Sequence, residues 1–371
     1  MERTEASSRS YIAAEAMRLC VLTAVLLVSI AASAIDAPSR IAYWDLPTGS
    51  RIAYIHFKAA SAAKQTPLVF LHGGPGAYLV DHPAIADGFY RDLAKLGFDV
   101  YIYDQIGSGH SARLADPRQY SVDRHVRDLE AIRQQIGAPQ FILIGDSWGA
   151  TLAANYMALH PEHCAKAIFS GPGLLEPGKI RSTTYDDAPM TKSAEAFFSH
   201  LYGNPRYRRL RKLIQSDPMA ANRIAPDQEM DAQLDAFVQR SLPFLVCDPT
   251  HVPSDESIKG MGFWVNAMTA ADMDRHPHSI SAALLRNRTP VLILRGGCDY
   301  VRWDVAYSYK TTFPNSILLY VPDAGHAFGY DQPKIYSAAV KAFLLDQALP
   351  VAPFAGTSEP PRVTPKAAYG F

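Results

Sequence analysis

The segment Phe141-Ile142-Leu143-Ile144-Gly145-Asp146-Ser147-Trp148-Gly149-Ala150 constrains the fold more than any other stretch of the chain. Four apolar residues that suit a strand buried on both faces run straight into a Gly-x-Ser-x-Gly turn. Small residues that suit a close-packed helix follow. Glycines at 145 and 149 let the backbones of strand and helix crowd together. A turn that sharp lifts the Ser147 hydroxyl above the end of a sheet. It also sets the hydroxyl over the amino end of a helix, where the helix dipole favours a developing anion. Asp146 stands one residue before the exposed position, so its expected part is hydrogen-bonding or electrostatic support.

The rest of the chain repeats the same grammar. Strands are expected at 41–45, 51–57, 67–71, 98–103, 141–144 and 165–170, with helices at 85–95, 121–135 and 150–159 between them. Ser121 reads as an N-cap, with Val122, Val126, Leu129 and Ile132 on one side of the helix it opens. Apolar strands alternating with amphipathic helices indicate an α/β protein with a mostly parallel sheet covered on both faces. From about Leu174 to Asn287 the pattern changes to helices alone, at 191–201, 205–215, 228–241 and 260–273. Strands resume at 291–295 and 317–321, and a helix closes the pattern at 335–346. The simplest account is a helical cap inserted after the sixth core strand, over the carboxyl ends of the sheet, where ligands bind in such folds. The expected divisions are a first core part at 35–173, the cap at 174–287, a second core part at 288–349, and a Pro-, Ala- and Thr-rich tail or strap at 350–371.

Leu19 to Ala31 is nearly unbroken apolar or small sequence after Arg18, and it ends in Ala32-Ser33-Ala34. That is the pattern of a secretory signal over residues 1–34, too short for a comfortable membrane span. Met17 is an alternative start. The expectation is an exported protein, periplasmic or extracellular, with a retained N-terminal anchor as the alternative and no stable membrane insertion once the signal is removed. Lysine plus arginine and aspartate plus glutamate each number 36, so nothing suggests a nucleic-acid groove. The one basic cluster, Arg206 to Lys212, reads as the solvated face of a short helix. Of four cysteines, Cys20 lies in the signal. Cys164, Cys247 and Cys298 leave room for one bridge or for buried free thiols. No His/Cys spacing argues for a metal.

A serine hydroxyl needs a base, and the base needs an orienting acid. Asp299, in the loop Gly296-Gly297-Cys298-Asp299 after a late strand, fits the acid. His326, in Asp323-Ala324-Gly325-His326 after the final strand, fits the base. Asp323 is the alternative acid, more readily a loop-stabilising residue. His72 and His110 are the other histidines near the expected site. His72-Gly73-Gly74-Pro75-Gly76 forms a tight loop with exposed N–H groups. The Gly74 N–H is expected to meet that of Trp148 at a substrate oxyanion, supported by His72 and Gly73.

Three motifs together carry a resemblance: His72-Gly73-Gly74-Pro75-Gly76, Asp104-Gln105-Ile106-Gly107-Ser108-Gly109-His110-Ser111 and Gly145-Asp146-Ser147-Trp148-Gly149. Over about residues 40–345 the chain resembles the proline iminopeptidase branch of the α/β-hydrolase fold. The resemblance implies an eight-stranded core with a helical cap and the triad Ser147, Asp299 and His326. It also implies oxyanion donors at Gly74 and Trp148, and no cofactor. The implied activity is hydrolysis of a small amide or ester, or of a short peptide with N-terminal proline. A non-catalytic binding protein on the same scaffold is disfavoured by the complete triad. The chain departs from the pattern in two places. Asp146 stands where the family's elbow usually has a second glycine, and no Trp-x-x-Trp-Glu segment occurs in the cap. Glu195, Glu229 and Asp231 are the cap acids that could take over that glutamate's contact with a substrate amine.

Overall fold

The computed structural model describes residues 41–60, 66–81, 87–176, 180, 182–254, 256–276 and 279–366. The expected signal segment lies outside them. Eight strands form one sheet in the order β1-β2-β4-β3-β5-β6-β7-β8. They are β1 (Ala42–Asp45), β2 (Arg51–Phe57), β3 (Leu68–Leu71), β4 (Val100–Tyr103), β5 (Phe141–Asp146), β6 (Cys164–Ser170), β7 (Val291–Gly296) and β8 (Ser316–Val321). The β1–β2 and β2–β4 pairs are antiparallel. All others are parallel. This is the expected α/β architecture.

The helices of the first half are α1 (Asp87–Lys95), α2 (Val122–Ile136) and α3 (Trp148–Leu159). The Ser121 side chain caps α2 by accepting from the Arg124 N–H, and Gly137 ends it in the left-handed conformation. α2 and α3 cover one face of the sheet through Leu129, Ile132, Ala150 and Ala153, packed on Val69 and Leu143. α1 and α12 (Pro333–Leu344), which follows the single-turn α11 (Phe328–Asp331), cover the other through Tyr90, Leu93, Val340 and Phe343, packed on Phe70, Ile142 and Ile144. Both faces of β5 are therefore buried, which is why it reads as a solid apolar run rather than an alternation.

Between β6 and β7 lies the cap: α4 (Pro189–Gly203), α5 (Pro205–Ser216), α6 (Pro218–Ile224), α7 (Asp227–Ser241), α8 (Phe263–Arg275) and the short α9 (Ser281–Leu284). Leu201, Leu210, Met230 and Trp264 fill its interior. The basic cluster lies on α5, with Arg208, Arg209, Arg211 and Lys212 exposed. The cap is tied to the core through backbone. The Gly262 N–H donates to Gly76 O and the Gly109 N–H to Gly260 O, both at 2.7 Å. The Arg113 guanidinium pairs with Asp231 at 2.9 Å.

The structure adds two helices to the sequence expectation and chooses between the alternatives left open for the cysteines and for the C-terminal segment. α6 and α10 (Trp303–Thr312) are helices that the hydrophobic pattern does not announce. Cys247 and Cys298 form a disulfide, leaving Cys164 as a buried free thiol. Residues 350–366 run as a strap. Phe354 packs on Trp303 and Tyr320, the Val363 N–H donates to Gly297 O, and the Lys366 N–H donates to Cys247 O. Among the described residues no helix is long and apolar enough to cross a membrane.

Candidate active site

β5 stops at Asp146 and α3 starts at Trp148, so Ser147 makes the whole reversal of the chain alone. Its φ of 53° and ψ of −117° lie where side chains are strained, a cost of about 1–3 kcal/mol that the surroundings must hold. They hold it with three hydrogen bonds of 3.0 Å: the Ser147 N–H donates to Ser170 O, and the Ala150 and Gly173 N–H groups donate to Ser147 O. The flanking glycines are required by contact. A Cβ on Gly149 would lie 2.0 Å from Leu71 O, and one on Gly145 would lie 2.5 Å from Gly149 C.

Asp299 follows β7 and His326 follows β8, which are neighbours in the sheet. The His326 Nδ1–H donates to Asp299 Oδ1 at 2.9 Å. The Val301 N–H donates to that same oxygen, also at 2.9 Å. Arg295 Nη1 lies 2.5 Å from Asp299 Oδ2. Burial opposes the Asp299 charge, but Arg295 and His326 outweigh it and hold the carboxyl down at about 2. For His326, burial disfavours the imidazolium; the charge and hydrogen bond of Asp299, with Asp146 adding to them, raise its pKa all the same. The ring also reaches the next strand. A Cβ on Gly171 would lie 3.1 Å from His326 Nδ1, and the preceding Ser170 is the residue that accepts the Ser147 N–H. Ser147 and His326 thus flank the carboxyl end of β6.

The loop after β3 closes the other side of Ser147. A Cβ on Gly73 would lie 3.0 Å from the Ser147 Cβ. His72 is buried, and burial holds its pKa down at about 4, so it is neutral. Its Nδ1–H donates to Gly73 O and its Nε2 accepts from the Gln105 N–H, both at 2.9 Å. Gln105 in turn accepts from the Trp148 indole at 2.9 Å and donates to His72 O at 3.0 Å. The Gly74–Pro75 bond is cis. Among the described residues neither the Gly74 nor the Trp148 N–H has a hydrogen-bond partner. Two free N–H groups beside a strained serine, with a carboxylate-bound imidazole nearby, can run acyl transfer.

The other sequence candidates stand apart from this group. Asp323 is exposed, and its backbone oxygen accepts from Gln332. His110 faces Asp81 at 3.7 Å. Glu195 is exposed, Glu229 pairs with Arg206 at 2.7 Å, and Asp231 with Arg113. Sequence spacing does not single out Arg295 as the cation behind Asp299. A lone charge closing an otherwise apolar strand is the signal that could have found it. It also passes over Asp331, whose carboxylate collects the Cys247, Asp248 and Gly325 N–H groups and faces His251 at 2.7 Å. The Glu130, His160 and His163 side chains have ligand atoms close enough for a metal. Glu130, however, already accepts from Arg133, Gln134 and Tyr156.

A family model described as alpha/beta hydrolase fold matches residues 66–333. The proline iminopeptidase of Heyndrickxia coagulans is 36% identical over 130 residues, which are 35% of this chain and 42% of that protein. The aligned part therefore spans less than half of that relative's length. A probable proline iminopeptidase of Leptolyngbya boryana is 25% identical over 284 residues, covering 75% of this chain and 86% of the relative. Among solved structures, an esterase from Rhodococcus sp. ECU1013 superimposes with a TM-score of 0.56 at 20% identity, covering 83% of this chain and 99% of the esterase.

Proposed function

The chain belongs to the α/β-hydrolase fold family, and from that membership we propose that it is a serine hydrolase of small amides or esters, similar to proline iminopeptidases, acting through an acyl-enzyme. Ser147 Oγ attacks the substrate carbonyl carbon and gives its proton to His326 Nε2. The carbonyl oxygen becomes an oxyanion held by the Gly74 and Trp148 N–H groups. The bond to the leaving amine or alcohol breaks as His326 returns the proton to it. Water then attacks the acyl-enzyme with His326 as base, releasing the acid and restoring Ser147. Asp299 keeps the proton on Nδ1, so that Nε2 is free to accept.

The observation that carries this reading is the Arg295, Asp299, His326 chain of contacts ending beside a serine in a strained elbow. Release of N-terminal proline is the narrower reading, supported by similarity to iminopeptidases from two organisms. Export is supported by the signal-like segment before residue 35 and by the Cys247–Cys298 disulfide, which suits an oxidising compartment.

The test is labelling with a fluorophosphonate, followed by turnover of a p-nitrophenyl ester and of proline β-naphthylamide. Wild type is expected to be labelled on Ser147 and to turn over at least one of the two. Ser147→Ala should lose roughly 10⁴-fold or more in kcat while melting as wild type does. Turnover retained in Ser147→Ala would sink the mechanism.

A further inference from the structure

The base of the acyl-transfer scheme is not carried by a regular element. His326 lies in residues 322–327, between the end of β8 and the start of α11. The Nδ1 bond to Asp299 orients its ring, but the other nitrogen must still arrive at Ser147. A misplacement of about 1 Å in a reacting group costs roughly 10²-fold in rate, so the backbone under the ring has to be held from elsewhere.

The residues on both sides of His326 are fastened to other segments. The Gly325 N–H donates to Asp331 Oδ2 at 2.7 Å, and the Ala327 N–H donates to Leu245 O at 2.8 Å. Leu245 belongs to the cap, in the stretch between α7 and α8. That stretch lies directly on the loop. A Cβ on Gly325 would stand 2.5 Å from Leu245 O and 2.7 Å from Val246 Cα. Asp331 Oδ2 also accepts from the Cys247 N–H, again at 2.7 Å. One carboxylate oxygen therefore grips the residue before the base and a residue of the cap. The other accepts from the Asp248 N–H and faces His251.

Cys247 is bonded through sulfur to Cys298, the residue before Asp299. The contacts then close a ring. Asp299 joins His326 by hydrogen bond, and Gly325 joins Cys247 through Asp331 Oδ2. The disulfide and two peptide links complete it. Acid and base cannot part without breaking a link. Across the ring, the Cys298 N–H donates to Ala324 O at 3.0 Å. The Asp331 side chain is fully buried, and among the described residues no lysine or arginine pairs with it. Burying a carboxylate is costly unless it is hydrogen-bonded, and charge-assisted bonds to backbone N–H groups are the strong kind.

We propose that Asp331 is a positioning residue for the reaction: through Oδ2 it fixes the His326 loop against the cap and keeps the base in register with Asp299 and Ser147. The proposal rests on the acyl-transfer reading, which makes His326 the base. Asp331 touches no reacting atom, and it acts through the Gly325 and Cys247 N–H groups.

The experiment compares wild type with Asp331→Leu, which removes both acceptors at similar bulk, and Asp331→Asn, which keeps one oxygen for Gly325 and Cys247 to share. The substrate is whichever of the p-nitrophenyl ester and proline β-naphthylamide wild type hydrolyses faster. The rate of fluorophosphonate labelling of Ser147 is measured beside it. Asp331→Leu should lose roughly 100-fold in kcat and in labelling rate, with KM within about threefold of wild type. Its kcat/KM should titrate closer to 6.5 than that of wild type, because a base that drifts from Asp299 loses the charge that raises its pKa. Asp331→Asn should recover at least about a tenth of wild-type kcat together with the wild-type profile. Melting curves report whether each variant is folded. Should Asp331→Leu fail to fold, Asp331→Glu decides. It keeps both acceptors but moves them by one methylene, and a loss of about tenfold or more in kcat at unchanged KM is expected. Wild-type kcat and pH profile in the deciding variant would overturn the proposal, whatever its melting temperature. A rise in KM alone would do the same, since it would place the effect at the cap's contact with substrate. Asp331→Asn as slow as Asp331→Leu would also overturn it, because charge and not the shared acceptor would then be responsible. Wild type that fluorophosphonate leaves unlabelled would overturn the acyl-transfer reading and this inference together. Labelled wild type with unimpaired Asp331 variants would overturn the inference alone.

Discussion

Arg295 and Asp299 are four positions apart in the chain and 2.5 Å apart in space, with both side chains at most 3% exposed. The pair sits behind His326 on the side away from its Nε2. Arg295 also donates to Val301 O at 2.7 Å, so it holds both the charge and the backbone of the Asp299 loop.

Arg295→Met should therefore destabilise the protein by about 3–5 kcal/mol, because it leaves a buried carboxylate without its cation. Burial works against the Asp299 charge, and Arg295 and His326 bring its pKa down to about 2. A depressed carboxyl contributes stability that is present above its unfolded value, about 3.9, and is lost as the pH falls towards 2. In the variant the acid-side loss should begin at higher pH. Urea unfolding at pH 7 and pH 4 reads both effects.

The pH dependence of kcat/KM follows from His326. Burial lowers its pKa, and Asp299, with help from Asp146, raises it by more. The base works only when neutral, so activity should climb with pH through a value above 6.5. Stability has the opposite sign: the contribution of the His326 contact is full below 6.5 and is lost as the pH rises through the folded value. Asp299→Asn should move the kinetic pKa down and cost roughly 10⁴-fold in kcat. An unshifted profile in Asp299→Asn would detach Asp299 from the base.

Reduction of the Cys247–Cys298 disulfide, or its replacement by Cys247→Ser with Cys298→Ser, should lower stability by about 2–4 kcal/mol. Cys298 adjoins Asp299, and Cys247 lies in the cap next to the strap contact of Lys366. The loss should therefore appear in kcat as well as in the melting temperature. Melting and turnover measured with and without reductant check it.

Much of this was written in hydrophobic pattern and turn chemistry. β5, β7 and the start of α2 announce themselves because full burial demands apolar runs and because Ser121 has a capping side chain. α10 stays hidden, since Val305, Ala306 and Tyr309 are buried among polar neighbours and give a weak stripe. Asp299 and His326 are legible from their places after successive late strands. Arg295 is not, because only the turn of the chain after β7 brings it back against Asp299; nor is Asp331, which gathers the Cys247, Asp248 and Gly325 N–H groups once the cap has folded onto the loop after β8. Three cysteines allow three pairings, and no spacing chooses between them.

The strap at 350–366 adds a matter of timing. Ser147, Asp299 and His326 leave the ribosome before the residues that fasten Gly297 and Cys247 together from outside. Domains tend to fold from their N-terminal parts as they emerge. The clasps of Val363 on Gly297 and of Lys366 on Cys247 are therefore the last fastenings of the Asp299 loop and the cap to become available, after the residues that make every other contact there have been synthesised.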